Sequence, residues 1–270
     1  MTKATGSAVL DAIISSTRIR IKRLRSMTSI STFLRTGTRF PRRSLLAALR
    51  AQTPAIIAEV KKASPSKGLF RADFDPVQRA RDYVFGGAVA ISVVTEPEHF
   101  AGDDGWLEAI RNAVPVPLLR KDFVLDPIQV AEAAALGADA ILVIARLLSV
   151  EQMQVIASVA ADATLDILYE AHDESDLAKI TVANARIVGI NARNLEDFTV
   201  DTGLFARLRP LIAAGATLVA ESGIETMAQV RECVRLGYHA CLIGETLVRA
   251  DDPAAMLSRL LDKDTRSVPS

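Results

Sequence analysis

From residue 55 onward, short apolar runs alternate with helix-period stretches eight times over. The runs fall at 56–60, 89–94, 117–121, 140–145, 165–170, 187–191, 217–221 and 240–244. They are short and aliphatic, with little polar alternation, which is the composition of parallel strands covered on both faces. Helix starts stand between them. Asp75-Pro76, Asp126-Pro127 and Asp252-Pro253 each set a carboxylate where it can accept from free N–H groups, and a proline where a first turn tolerates one. Asp103-Asp104 reads as the cap of a helix carrying Trp106, Leu107 and Ile110, and Ser149 with Gln152 as a capping box. Gly86-Gly87, Gly137 and Gly237 read as helix stops, and a Gly–x–x–Ala pattern recurs before the second, fourth and eighth runs. Eight strand–helix units with a period of roughly 25–30 residues predict an α/β chain folded as a (β/α)₈ TIM barrel. A doubly wound open sheet is the alternative. It usually has fewer strands, and no G-x-G-x-x-G follows the first run here.

Charge divides the chain unevenly. Residues 1–50 carry eleven Lys and Arg against one acid, Asp11, while 51–270 carry 21 basic and 31 acidic residues. The basic segment reads as a helical extension packed on an acidic barrel, 1–50 on 51–270, in one domain. Val9, Leu10, Ile13 and Ile14 sit at helical spacing, as do the apolar residues of 44–49. A transit peptide or a nucleic-acid arm would share this composition. No run of 18 apolar residues without charge occurs, so a membrane span is not expected. Cys233 and Cys241 give neither a disulfide framework nor metal spacing, and His99, His172 and His239 are scattered. A reduced, cytoplasmic monomer without metal or cofactor is the expectation.

The stretch 56–68 starts as a buried strand and ends as a polar loop. Glu59 interrupts its apolar run, and a carboxylate inside a strand is costly unless paired or working. Lys61 follows two positions on and so points to the same side. Ser64-Pro65-Ser66-Lys67-Gly68 then breaks the strand. Other strands end in kind: Lys121-Asp122 after the third, Glu170 after the fifth, Asn191 with Arg193 beyond after the sixth. Glu221-Ser222-Gly223 closes the seventh and Gly244-Glu245 the eighth. In a barrel these ends converge on one mouth. Glycines after strands seven and eight let an anion approach backbone N–H groups, which suits a phosphate, and Ser64 can add a hydroxyl. Two lysines and two glutamates in one mouth suit proton transfer, because burial and neighbouring charge shift both residue types toward neutrality.

These motifs resemble indole-3-glycerol phosphate synthase. The resemblance covers about 55–260 and is carried by 57–68, 119–123 (Leu-Arg-Lys-Asp-Phe), 170–173 (Glu-Ala-His-Asp), 189–195, 221–224 and 242–245. It implies a lyase of tryptophan biosynthesis that needs no cofactor and acts on 1-(2-carboxyphenylamino)-1-deoxyribulose 5-phosphate. By the same resemblance Lys121 is the general acid, Glu170 the general base, and Lys61 the holder of the anthranilate carboxylate. Glu59 and Asn191 orient hydroxyls and lysines, and Arg193 and Glu221 complete the polar wall. Ser64, Ser222, Gly223, Gly244 and the Glu245 backbone hold the phosphate, and Phe100 packs on the aromatic ring. The loop 62–75 is long enough to close over the site. The family often has Gly-Ser after this phenylalanine; here Gly102 is followed by Asp103. Phosphoribosylanthranilate isomerase, a sister barrel, would need a cysteine ending strand one, where this chain has Glu59 and Lys61. A nucleic-acid-binding module working through the basic arm leaves the strand-end residues unexplained.

Overall fold

Eight parallel strands hydrogen-bond side by side and return to the first, so the sheet has no edge. The structure is a computed structural model that describes residues 6–262. In chain order the strands are β1 (Ala55–Val60), β2 (Ala90–Val94), β3 (Leu118–Lys121), β4 (Ala140–Ile144), β5 (Asp166–Ala171), β6 (Ile187–Asn191), β7 (Thr217–Glu221) and β8 (Ala240–Ile243). Each pairs with its sequence neighbour, and β1 closes the barrel against β8, with Ala55 opposite Ala240 and Ala58 opposite Ile243. The strand boundaries lie within a residue or so of the sequence reading. The open-sheet alternative is excluded by this closure.

The helices start where their caps predict. Asp75 accepts from the N–H groups of Val77 and Gln78 at the head of α4 (Pro76–Phe85). Asp126 opens α7 (Pro127–Ala135) and Ser149 opens α8 (Val150–Asp162), both as reciprocal capping boxes. Asp103 and Asp104 divide their duties before α6 (Gly105–Ala113). Asp103 accepts from Gly105 N at 2.7 Å, but Asp104 makes no capping bond and pairs with Arg120 at 2.7 Å instead. A buried guanidinium attracts a carboxylate more strongly than a helix N-terminus does.

Strand alternation sorts the apolar side chains into two cores. Ile57, Leu119, Leu142, Leu168, Val219 and Leu242 fill the barrel interior. Ile56, Ile91, Leu118, Ile141 and Val188 point outward and pack beneath the helices. The inner core is continued by Leu45, Leu46 and Leu49 of α3 (Leu45–Arg50), which lies under the strands' first residues. There Ser44 Oγ and Leu46 N donate to Asp166 at the start of β5, and Arg50 Nε donates to Thr217 Oγ1 at the start of β7.

The basic arm uses its arginines on the barrel. Helix α1 (Gly6–Met27) runs to the opposite end, where Arg20 forks onto Asp122 at 2.9 and 3.1 Å and Arg25 onto Asp126. Between α2 (Ile30–Gly37) and α3, Arg42 donates to the carbonyls of Gly37, Ala134, Ala138 and Ala163, and Arg43 to those of Val114 and Val116. Guanidinium groups can satisfy carbonyls left bare at helix C-termini, which explains why the segment is arginine-rich. No described helix is long and apolar enough to cross a membrane.

Asp122 is fully buried and is held by Arg20, Arg120 and the Thr95 hydroxyl. Replacing Arg20 with Met keeps the aliphatic stem and removes the fork. It should lower unfolding free energy by about 2 kcal/mol, because a buried carboxylate loses one of two cations. Lys22→Met, on the exposed side of the same helix, should stay within about 0.5 kcal/mol. Chemical denaturation of the two variants side by side checks both.

Candidate active site

Period two places one residue of each strand at the last inward position before the C-terminal loops. For β1, β3, β5, β6 and β7 these are Glu59, Lys121, Glu170, Asn191 and Glu221, and Gly244 follows the end of β8. They line one cavity of about 380 Å³. All thirteen positions named from the sequence border it: these six with Lys61, Ser64, Phe100, Arg193, Ser222, Gly223 and Glu245.

Two inward glycines make room for carboxylates. A side chain at Gly189 on β6 would run into the Glu221 carboxylate, and one at Gly244 into that of Glu59. Neither glycine has positive φ, so the requirement is for space rather than for conformation. Ser222 and Gly223 are different. Both lie in the left-handed region, at φ 69° and 74°, a conformation that costs a serine free energy and that turns the chain sharply after β7.

Lys121 Nζ sits 2.9 Å from Glu170 Oε2 and 3.5 Å from Glu221 Oε2. Lys61 Nζ sits apart, 2.6 Å from Glu59 Oε1. Burial by itself would lower the Lys121 pKa; Glu170, Glu221 and Glu59 outweigh it and hold the ammonium above the ordinary lysine range. Burial likewise opposes ionisation of Glu59 and Glu170, but Lys61 with Lys121 pulls Glu59 down, and Lys121 with His172 pulls Glu170 down. Glu221 goes the other way. It is 1 % exposed, neither carboxyl oxygen has a hydrogen-bond partner in the protein, and burial beside Glu170 pushes it well above the usual carboxylate range. The inner ring therefore holds Glu59 and Glu170 toward their charged forms and Glu221 toward its neutral one.

The outer rim is cationic and apolar. Arg193 NH2 lies 3.5 Å from Glu245 Oε2 and Lys67 Nζ 3.7 Å from Glu245 Oε1. The Ser64 hydroxyl is buried without a protein partner beside Gly244 and Glu245 on the cavity wall. Phe100 is aimed by Glu96, whose carboxylate accepts from the N–H groups of Glu98, His99 and Phe100. Gly102 packs against the backbone at Val94, Thr95 and Glu96, and the loop accommodates Asp103, the departure that the sequence marks, through its bond to Gly105.

Sequence reasoning left out several groups. Phe123 faces Phe100 with ring centroids 6.3 Å apart, and Leu142, Ile144, Leu195 and Phe198 complete an apolar wall. Leu142 and Ile144 were legible from period two alone, counted from Ala140. Arg120 is 1 % exposed yet points outward from β3, donating to Thr95, Gln129, Glu132, Asp104 and Asp122. Its only signal was a charge inside a strand. Among the described residues, no cluster of three or more His, Cys, Asp or Glu is arranged to hold a metal.

The model of the family "Indole-3-glycerol phosphate synthase" matches residues 10–260. The chain belongs to this family. A synthase of Ruminiclostridium cellulolyticum is 42 % identical over 255 residues, which cover 93 % of this chain and 98 % of that one. One of Campylobacter curvus is 48 % identical over 197 residues, covering 73 % and 76 %. Solved structures are similar in fold alone. A 3-hexulose-6-phosphate synthase has a TM-score of 0.63 at 15 % identity, over 77 % of this chain and 99 % of that one. The thiamine phosphate pyrophosphorylase of Pyrococcus furiosus has a TM-score of 0.61 at 15 % identity, over 82 % and 97 %.

The opposed shifts of Glu170 and Glu221 give opposite pH signatures. A depressed carboxyl contributes stability above its unfolded pKa and loses it as pH falls through the folded value; a raised one contributes below its unfolded pKa and loses it as pH rises. At pH 8 Glu170→Gln should lower stability by about 1–3 kcal/mol, whereas Glu221→Gln, a mimic of the protonated acid, should leave it equal or higher. The Glu170→Gln deficit should begin to close only below about pH 4.3. Thermal unfolding across pH reads both.

Proposed function

We infer that the protein converts 1-(2-carboxyphenylamino)-1-deoxyribulose 5-phosphate to indole-3-glycerol phosphate, with loss of carbon dioxide and water, in tryptophan biosynthesis. Family membership supports the overall reaction, the residue roles are those that the family resemblance implies, and the geometry of the mouth is compatible with them. The observation that carries them is the Lys121 ammonium, buried between Glu170 and Glu221 at the centre of the cavity, with Lys61 held separately on the β1 side.

The substrate has two anionic groups and a flexible chain between them. Its phosphate fits the rim at Ser64, Ser222, Gly223, Gly244 and the Glu245 backbone, and its carboxylate fits Lys61. The aromatic ring lies against Phe100. Holding both ends bends the chain so that the carboxylate-bearing ring carbon meets the ribulose carbonyl. As that carbon attacks, Lys121 donates a proton to the carbonyl oxygen, where negative charge would otherwise build up. Carbon dioxide leaves with the bond to the ring carbon broken, its electrons restoring the aromatic ring. The hydroxyl formed from the carbonyl then takes a proton from the Lys61 ammonium and departs as water, and Glu170 removes a proton from the adjacent carbon to complete the indole. Glu59 and Asn191 orient the hydroxyls and the lysines, and Arg193 and Glu221 close the polar wall. Burial and the neighbouring Glu170 push Glu221 toward its neutral form, while Lys121 and His172 favour the ionised form of Glu170.

Lys121→Ala should reduce turnover at least about 1000-fold while the protein remains folded. Indole fluorescence with the carboxyphenylamino substrate measures the rate, and circular dichroism the fold. Turnover close to normal would remove Lys121 from the role of acid.

A further inference from the structure

His172 takes no part in the reaction as described and does not border the cavity, yet its ring is buried directly behind Glu170. Its Nε2 lies 3.3 Å from Glu170 Oε1, and its Nδ1 lies 3.7 Å from Asp176 Oδ2. The ring is 3 % exposed, Glu170 1 %, and the Asp176 side chain 3 %. Glu170 therefore has one oxygen on Lys121 in the cavity and the other toward this imidazole. Neither ring nitrogen has a well-formed hydrogen bond in the resting site. Asp176 is fixed from several sides: Oδ2 accepts from His172 N at 3.0 Å and from Arg146 Nε at 3.4 Å, and its own N–H donates to Asp173 Oδ1. Arg146 in turn binds Asp173 at 3.0 Å.

We propose that His172 is a positioning residue for Glu170: anchored by Asp176, it holds the second carboxylate oxygen so that the first stays aimed into the cavity. The proposal rests on the reading of Glu170 as general base. The arrangement has the logic of a base oriented by a third group, displaced one residue back from the substrate. Without the imidazole, Glu170 is held from the cavity side by Lys121 and Asn191, and the Lys121 contact is disturbed by the reaction itself when Lys121 gives up its proton.

The charged groups around the ring set the direction of a pH effect. Glu170 faces it from β5, Asp173 and Asp176 from the start of α9 (Glu174–Val182), Arg146 from the turn after β4, and Lys121 and Glu221 stand beyond Glu170. His172 helps to hold Glu170 below the carboxylate range, so its removal should raise the proton affinity of Glu170.

Steady-state kinetics of the full chain from pH 3.5 to 9 test this with His172→Ala, His172→Gln and Glu170→Gln. His172→Ala should lower kcat about 10- to 100-fold with KM within about two-fold, and should move the acidic limb of the profile to higher pH. His172→Gln restores an amide donor near the Nε2 position, so it should recover most of kcat while the acidic limb stays displaced. A His172→Ala enzyme with kcat within about two-fold of the parent and an unmoved limb overturns the proposal. So does a His172→Gln enzyme no better than His172→Ala, which would mean the ring only packs. Where His172→Ala fails to fold, His172→Gln carries the test through its displaced limb, and an unmoved limb there overturns the proposal. Glu170→Gln separates the two readings. Turnover kept in that variant removes Glu170 as base, whatever the His172 variants do. Turnover lost there, with His172→Ala unaffected, removes only the role of His172.

Discussion

The mouth of this barrel is organised by the attraction between one buried ammonium and the carboxylates around it. Burial alone would push Lys121 toward its neutral form, and Glu170 draws on Lys121 to stay ionised as Glu59 draws on Lys61 and then on Lys121. Each group makes the next affordable in a low-dielectric space, and Glu221, with burial pushing its pKa up, is the one carboxyl shifted toward its neutral form. The same cluster that stabilises the charges keeps an acid and a base within one substrate length of each other.

That cluster exists because the barrel delivers one inward residue per strand at a common height. Glycine at 189 and 244 matters as much as the charged residues, since a methyl group at either place would displace a glutamate. Behind β3 the pattern inverts. Arg120 points outward, and its partners come from the next loop, from α7 and from the residue before α6. Arg20 of α1 reaches the same Asp122, so the strand carrying Lys121 is gripped on its outer side by the basic arm.

Much of this was legible in the sequence because it depends on period and on chain chemistry. Eight apolar runs, Asp-Pro helix starts and polar strand ends give the barrel, its direction and its mouth. Lys121, Glu170, Asn191 and Glu221 follow from position alone. What was not legible depends on tertiary pairing. Asp104 reads as a helix cap until Arg120 is placed nearby. The rich supply of arginine in 1–50 reads equally as a solvated arm until the carbonyls of Ala134, Ala138 and Ala163 are seen to receive it. His172 looked like one of three scattered histidines, because nothing local shows that its ring backs onto the carboxylate two residues earlier. Opposite shifts at Glu170 and Glu221 were beyond sequence too, since both are strand-end glutamates distinguished by their distances to Lys121 Nζ and by the His172 and Asn191 contacts of Glu170.

The pairing of Arg20 with Asp122 joins positions 102 residues apart. During synthesis α1 emerges from the ribosome first, but the carboxylate that anchors it is not made until the third strand has been translated. The arm must therefore wait, exposed, while the early strands are added, and its seating records that β3 has arrived. Completion of β3 and docking of α1 are in this sense one assembly event.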